Sequence, residues 1–184
     1  MTLFPKRSIA RSLLGAAIFV TLLAAGCGDG SSPTAPSGGN LAVRMTDAAT
    51  DEASQVNVDI TGLVVKPHGG AETRISNEIG VVDLLRLRNA DMLLAAANVA
   101  PGDYDFVRVE LDAARSNVVE KATGETRPLQ IASGQIDVNG GFTVQTNHQT
   151  TILLDFKADA SLQHLPTGVW LMTPVIVQAN VSTS

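Results

Sequence analysis

The chain of 184 residues has little cysteine and few aromatic side chains. Cys27 is its only cysteine, so no disulfide can form within one chain, and a disulfide-stapled scaffold is excluded. Aromatic residues make up 4% of the chain, and Trp170 and Tyr104 are each the only residue of their type. Because sugar-binding platforms use exposed Trp and Tyr rings, this scarcity weighs lightly against a glycan ligand.

The apolar run at the amino terminus is too short to span a bilayer comfortably. Ser12–Ala25 is uncharged over fourteen residues, whereas a transmembrane helix needs about 20. Lys6, Arg7 and Arg11 precede this run and small residues end it, a pattern typical of a secretory signal peptide. The alternative is a buried helix of a cytosolic domain, but the basic residues have no nearby acid to pair with. We therefore predict that residues 1–26 are a cleaved leader.

The leader ends at a cysteine. Residues 23–27, LAAGC, resemble the lipobox of bacterial lipoproteins, although the commonest pattern has leucine where this chain has Ala24. The resemblance implies that Cys27 receives a diacylglycerol, that residues 1–26 are removed and that the new amino group is acylated. Two or three acyl chains hold a protein to a membrane where one would not. Gly28 follows in place of the aspartate that signals inner-membrane retention, which favours the outer membrane of a bacterium as the location.

Basic charge is also scarce. The chain carries a net charge of −5, and loss of the leader would lower it to −8. An acidic protein repels phosphate backbones, so nucleic acid is not an expected partner. After Cys27, residues 28–40 are rich in Gly, Ser and Pro and predict a flexible tether, which leaves residues 41–184 as one domain.

Apolar and polar residues alternate along most of this domain. Residues 107–112, 152–157 and 56–60 all show the period of two that is typical of strands with one buried face. Glycine-containing segments at 68–70, 123–125 and 139–141 predict tight hairpin turns. This pattern predicts an all-β, antiparallel β-sandwich.

Two segments are less regular. Residues 84–99 are rich in Ala and Leu, so a helix and a strand with a short turn are both compatible with them. Residues 168–181 are apolar on both faces, which predicts a central strand, with Pro174 indicating a bulge or an edge.

Calcium is the first metal to consider in an acidic envelope protein. Asp47, Asp51 and Glu52 lie close in sequence and are weak candidate ligands, since calcium needs six or more converging oxygens and no complete calcium-loop pattern is present. The favoured interpretation is that these acids cap turns. We therefore expect no cofactor, with calcium as an alternative.

Catalytic motifs are missing from the sequence. His68, His148 and His164 are scattered and no cysteine can join them in a zinc site. There is no glycine-rich phosphate loop and no Gly-x-Ser-x-Gly elbow. Ser161 with His164 leaves open a nucleophile and base, although a solvated loop explains both residues equally well.

Five ordered blocks resemble a known family. Residues 99–111, VAPGDYDFVRVEL, contain a Pro-Gly-x-Tyr turn similar to that of prealbumin-like and collagen-adhesin-B-like sandwiches, where the tyrosine covers one end of the core. Together with LAVRMTDAATDEASQVNVDITGLVV, VVDLLRL, TILLDFKADASL and GVWLMTPVIV, this block resembles the bacterial lipoprotein family called domain of unknown function 4382.

That resemblance implies a fold and a location but no reaction. Thr46-Asp47-Ala48 matches the family's Thr-Asp-Ala motif, with Ala49 where proline is usual, and Asp155 and Ser161 match its late Asp and Ser. We expect a lipid-anchored, non-catalytic envelope protein that binds an unknown protein or glycan or serves a structural role. The alternatives are a calcium-ordered module built on Asp47, Asp51 and Glu52, and a hydrolase built on Ser161 and His164.

Overall fold

The computed structural model describes residues 38–47 and 50–184. Nearly all regular structure in this part of the chain is β. The strands are β1 Gly39–Asp47, β2 Ala53–Pro67, β3 Thr73–Asp83, β4 Met92–Val99, β5 Gly102–Glu120, β6 Thr126–Ile131, β7 Gln135–Val144, β8 Gln149–Phe156, β9 Leu162–His164, β10 Trp170–Met172 and β11 Ile176–Thr183. The described residues also include a 3-10 helix, Leu84–Leu87, and one helical turn, α1, Ala158–Ser161.

The strands form two sheets that share one core. The four-stranded sheet has the order β11-β8-β1-β4, and the seven-stranded sheet has the order β3-β2-β5-β6-β10-β9, with β7 also paired to β5. Val107 and Val109 of β5 and Ile152 and Leu154 of β8 are fully buried or nearly so, as the alternating pattern predicts. The all-β sandwich fold is therefore confirmed.

Both sheets are mixed, so the predicted antiparallel pairing does not hold for two pairs of strands. β1 pairs with β8 in parallel, and β6 pairs with β10 in parallel. Parallel neighbours need a long crossover connection. The chain between β1 and β8 supplies this connection, and it forms most of the seven-stranded sheet. Such a long-range arrangement cannot be inferred from the alternation of residues within a strand.

The apolar segment 168–181 is not one central strand. β10 lies in the seven-stranded sheet, whereas β11 lies at an edge of the four-stranded sheet. Residues 173–175 cross between them, and Pro174 lies in this crossing, where its missing N–H costs no ladder hydrogen bond. Both faces of the segment are apolar because its two halves contribute to different sheets.

The turn at residues 139–141 was also predicted wrongly. Asn139, Gly140 and Gly141 lie inside β7, where two residues oppose one on β5 between the pairs Tyr104–Phe142 and Phe106–Asn139. This is a β-bulge, and Gly140 has φ 143°, which a residue with a side chain rarely adopts. The turn itself follows at residues 145–148, while the turns at 68–70 and 123–125 are confirmed.

Residues 84–99 contain a short turn and a strand. The Asp83 side chain caps the 3-10 helix by accepting a hydrogen bond from the N–H of Leu85 at 3.2 Å. The buried Leu84 and Leu87 anchor this turn to the core, and β4 follows. Of the two interpretations that the sequence left open, the strand with a turn is the one observed.

Tyr104 closes one end of the core, as the Pro-Gly-x-Tyr turn predicts. Its ring is 4% exposed and stacks on Phe142 with centroids 4.9 Å apart. Its hydroxyl donates to the carbonyl of Ala100 at 2.7 Å, which ties the start of β5 to the preceding turn. Burial raises the pKa of this hydroxyl, so it remains a donor.

Candidate functional site

An open cavity of about 570 Å³ lies at one end of the seven-stranded sheet. Asp51 and Glu52 reach it from the bend before β2, Lys121 and Ala122 from the turn after β5, and His164 from β9. The register between β2 and β5 brings the first two segments together, and the N–H of Lys121 donates to the carbonyl of Glu52 at 3.2 Å. The cavity thus combines two carboxylates, one ammonium group and one imidazole.

His164 lies on a buried aromatic ring. Its imidazole stacks on Trp170 with centroids 4.5 Å apart and an interplanar angle of 4°, because the two residues are directly opposed in the β9–β10 pair. Trp170 is 1% exposed, whereas the His164 side chain is 41% exposed. The outer surface of the imidazole is therefore available to a ligand, and the indole holds its plane.

Glu120 precedes Lys121 and connects His164 and Trp170 beside the cavity to the neighbouring strands. Its carboxylate accepts hydrogen bonds from the Thr123 hydroxyl at 2.7 Å and the Trp170 indole N–H at 3.1 Å. Arg127 is 3.5 Å and His164 is 3.8 Å from the same carboxylate. The Thr123 hydrogen bond, followed by the Trp170 bond, lowers the pKa of Glu120 from its usual value, so the group stays ionised at neutral pH.

The candidate calcium ligands are divided between two places. Asp51 and Glu52 line the cavity, but Asp47 ends β1 in the four-stranded sheet, where it is 7% exposed and accepts a hydrogen bond from the N–H of Ala158 at 3.1 Å. Across residues 38–47 and 50–184, no group of three or more His, Cys, Asp or Glu side chains is placed to hold a metal ion. Calcium binding by these acids stays a prediction.

Ser161 and His164 do not form an accessible nucleophile and base. Ser161 is 1% exposed; its hydroxyl donates to the carbonyl of Lys157 at 2.6 Å and accepts from the N–H of Val175 at 2.9 Å. These bonds tie α1 to the crossing segment 173–175. The ring of His164, by contrast, is engaged with Trp170 and faces Glu120. The burial of the hydroxyl argues against the hydrolase alternative.

The other candidate residues also have local partners. His68 Nδ1 lies 2.8 Å from the Asp105 carboxylate, and His148 Nδ1 lies 2.9 Å from the Thr146 carbonyl, so the three histidines are in separate places. Asp155, matched to the family's late aspartate, pairs with Lys157. These contacts indicate that His68, His148 and Asp155 stabilise local turns and surface pairs.

Sequence reasoning missed Glu120 and Arg127 as part of the site. Glu120 occupies a buried position at the last residue of a strand, immediately before a turn. A carboxylate on the buried face of a strand signals a partner nearby, and the indole N–H of Trp170 is one of its partners. Glu120 meets Trp170 because β10 pairs with β6, the neighbour of β5.

Cys27 and the leader at residues 1–26 lie outside the described residues, as do most of the tether and Ala48 of the Thr-Asp-Ala motif. Within the described part of the chain, no helix has the length and apolar character needed to cross a bilayer.

The fold and the cavity define a single all-β sandwich domain with a mixed-charge pocket beside a stacked His–Trp pair. The model of the family described as a domain of unknown function, DUF4382, matches residues 38–174. The chain therefore belongs to this family, which confirms that part of the resemblance. No curated protein and no solved structure matched the chain. The prealbumin-like and lipoprotein parts of the resemblance stay predictions.

Proposed function

We propose that the chain is a lipid-anchored cell-envelope protein whose β-sandwich serves as a non-catalytic binding module for a protein or glycan. The anchor is inferred from Cys27, which follows a leader-like apolar run and precedes a Gly/Ser/Pro tether. The outer membrane of a bacterium is the proposed location, since Gly28 stands where aspartate would signal retention at the inner membrane.

The observation that carries the binding role is the cavity beside His164. A ring that is held flat on Trp170 and exposed on its other side presents a fixed surface to a ligand. Asp51, Glu52 and Lys121 surround it with charges of both signs, which suit a polar ligand with donors and acceptors. The buried Ser161 hydroxyl offers no nucleophile to this cavity, which supports binding over hydrolysis.

Site-specific photo-crosslinking in intact cells tests the binding role. A photoreactive amino acid at position 122, which lines the cavity, should capture a partner that the same probe at the exposed position 130 on β6 does not. His164→Ala in the position-122 protein should reduce the captured fraction, because the ring contributes the exposed surface. Equal capture from both positions, or none across several growth conditions, would contradict a binding site here.

The lipid anchor is tested at Cys27. Cys27→Ser should abolish acylation and leave the leader uncut, since the processing described for lipoproteins depends on the modified cysteine. Mass spectrometry of the purified protein measures both changes. Normal cleavage before position 27 in the variant would overturn the proposed anchor and leave the cavity proposal standing.

Calcium binding is the second candidate, favoured by the two carboxylates that share the cavity. Asp51 and Glu52 are brought together there, but Asp47 is held elsewhere by Ala158. If calcium orders this bend, the melting temperature should rise in excess calcium relative to EDTA, and Glu52→Gln should remove the rise. An unchanged melting temperature would contradict calcium binding at Asp51 and Glu52.

A further inference from the structure

The charged side chains that line the cavity beside His164 have no ionic partners of their own. Asp51, Glu52 and Lys121 line it, and within the part of the chain that the structure describes none of the three side chains takes part in an ion pair or a side-chain hydrogen bond. The arginines of the same sheet, in contrast, all pair with carboxylates: Arg74, Arg108, Arg115 and Arg127. The cavity therefore gathers charges that are free to meet a ligand.

These charges come from two adjacent segments of backbone. The N–H of Lys121, in the turn after β5, donates to the carbonyl of Glu52, in the bend before β2, at 3.2 Å. All three charged side chains are exposed to solvent. Two carboxylates and one ammonium group thus share one opening, and a ligand that carries both signs of charge can contact all of them.

Negative charge predominates at this opening. Among the described residues beside the cavity, four carboxylates face two cationic groups: Asp51, Glu52, Glu120 and Glu125 against Lys121 and Arg127. Arg127 is held by Glu120 and Glu125, so the excess negative charge belongs to Asp51 and Glu52. This balance attracts a cationic group and repels a ligand that is only anionic.

His164 favours a flat cation over a compact one. Its imidazole lies on Trp170 with centroids 4.5 Å apart and an interplanar angle of 4°, and its side chain is 41% exposed. A guanidinium group is planar, stacks on ring faces and pairs with a carboxylate through two hydrogen bonds, whereas an ammonium group is a point charge. A fixed ring surface beside two unpaired carboxylates therefore suits guanidinium.

Lys121 adds a requirement for negative charge on the same ligand. Its ammonium group repels a guanidinium unless the ligand also brings a carboxylate to it. An arginine whose own α-carboxylate is free carries both groups. The cavity of about 570 Å³ lies in the range of roughly 300–1,000 Å³ that is usual for small ligands, so it suits one terminal residue.

We infer that the cavity binds an arginine with a free α-carboxylate, as at the carboxyl terminus of a partner protein. The guanidinium lies on the outer surface of His164 against Asp51 and Glu52, and the α-carboxylate meets Lys121. This inference rests on the proposed binding role and specifies its partner. An uncharged glycan would leave all three charges without partners, which is costly once water is displaced. Free arginine carries the same two groups, and the test separates these two sources.

The test is calorimetric titration of the purified full-length protein in detergent. The probe is the peptide acetyl-Gly-Ala-Arg with a free terminal carboxylate, which should bind. The same peptide with a terminal amide should bind about tenfold more weakly, because it lacks the group that meets Lys121. Acetyl-Gly-Ala-Lys should also bind more weakly, since its ammonium does not stack.

Variants assign each contact to its residue. Lys121→Gln should abolish the difference between the acid and the amide peptide, and His164→Ala should abolish the preference for arginine over lysine. Glu52→Gln should weaken binding of the acid peptide about tenfold. The matched control is Glu78→Gln, which removes another exposed charge, on β3 and away from the cavity, and should leave the affinity unchanged.

The two sources are separated by titration with free L-arginine. Tighter binding of the peptide assigns the ligand to a chain terminus, and equal binding assigns it to the free amino acid. The inference is overturned if the acid peptide does not bind, if the acid and the amide bind equally, or if Glu52→Gln has no effect.

Failure of this inference differs from failure of the binding role. A partner captured from position 122 by a protein that does not bind the peptide would overturn the inference and leave the binding role standing. A bound peptide without any captured partner would support the arginine site and contradict the proposed protein partner.

Discussion

Asp59 is a fully buried carboxylate on β2, and Arg115 is its ionic partner. Asp59 is 0% exposed, and its Oδ2 lies 2.7 Å from one guanidinium nitrogen and 2.8 Å from another. Arg115 reaches it from the irregular part of β5, where residues 113–116 leave the regular ladder with β2. A buried carboxylate is costly unless it is paired, so this irregularity has a structural role.

Arg115→Ala should lower the free energy of unfolding by about 2 kcal/mol. Removing one partner of a buried pair typically costs about 3–5 kcal/mol, and the 59% exposure of the Arg115 side chain reduces this, since water screens the pair. Urea unfolding measures the change. Arg88→Ala, at an exposed position outside any such pair, should change stability by less than about 0.5 kcal/mol. Equal effects of the two substitutions would contradict the role of Arg115.

Glu120 should make stability depend on pH. The Thr123 hydroxyl, and then the Trp170 indole, lower the pKa of Glu120 in the folded state. A depressed pKa contributes stability that is present above the unfolded pKa of about 4.3 and lost as pH falls through the folded pKa. Glu120→Gln should therefore be less stable than the parent at pH 7, and the difference should shrink in acid.

Urea unfolding followed by circular dichroism at pH 7 and in acid measures this difference. Thr123→Ala keeps the carboxylate but removes its first donor, so the pH dependence should weaken without disappearing. A difference between Glu120→Gln and the parent that stays constant from neutral pH into acid would show that Glu120 does not carry this linkage.

At the scale of elements, Ser161 connects α1 to the crossing segment 173–175. Neither segment shows the alternation of apolar and polar residues that marks a strand. Its hydroxyl bridges the Lys157 carbonyl and the Val175 N–H, and its carbonyl accepts from the N–H of Thr173 at 2.8 Å. The short α1 turn is thereby held to the crossing at 173–175 that separates β10 from β11. A serine that resembles a catalytic residue in sequence is here a structural link.

Ser161→Ala should lower the free energy of unfolding by about 1 kcal/mol, because it removes two part-buried hydrogen bonds and leaves the N–H of Val175 without this partner. Thermal and urea unfolding measure the loss. Ser182→Ala, at an exposed position on β11, is the matched control and should be neutral. A Ser161→Ala protein as stable as the Ser182→Ala protein would refute the bridging role.

Which side chains of a strand are buried is easier to predict from the sequence than where the strand ends or which strands it pairs with. Val107 to Leu111 alternate in the sequence and in burial, because side-chain direction along a strand is a local property. The bulge at Gly140 resembles a hairpin turn in sequence, since both conformations use residues that adopt positive φ. Trp170 and Ile176 lie in one apolar run but in different sheets, because an apolar run does not indicate which sheet buries it.

At the scale of the whole molecule, both sheets share one core. Met45 and Phe156 of the four-stranded sheet and Ile60 and Val109 of the seven-stranded sheet belong to the same buried cluster. Neither sheet can keep its buried face if the other separates, which predicts one cooperative unfolding transition. Trp170 is the only tryptophan and lies on β10, so its fluorescence reports on the part of the core that packs against the seven-stranded sheet.

Urea unfolding followed by Trp170 fluorescence should coincide with unfolding followed by far-ultraviolet circular dichroism, which reports on both sheets. Coincident midpoints are the expected result. Two separated midpoints would show that the sheets unfold independently and would contradict the shared core.

The sequence by itself determined the all-β class, the family and the turn closed by Tyr104. These depend on alternation, turn residues and ordered motifs, all of which act over short stretches of chain. Only the tertiary structure decided that β1 lies parallel to β8 and that Asp51, Lys121 and His164 share a cavity. Each of these depends on which distant segments bury their apolar faces together, and that choice is made by packing across the whole core.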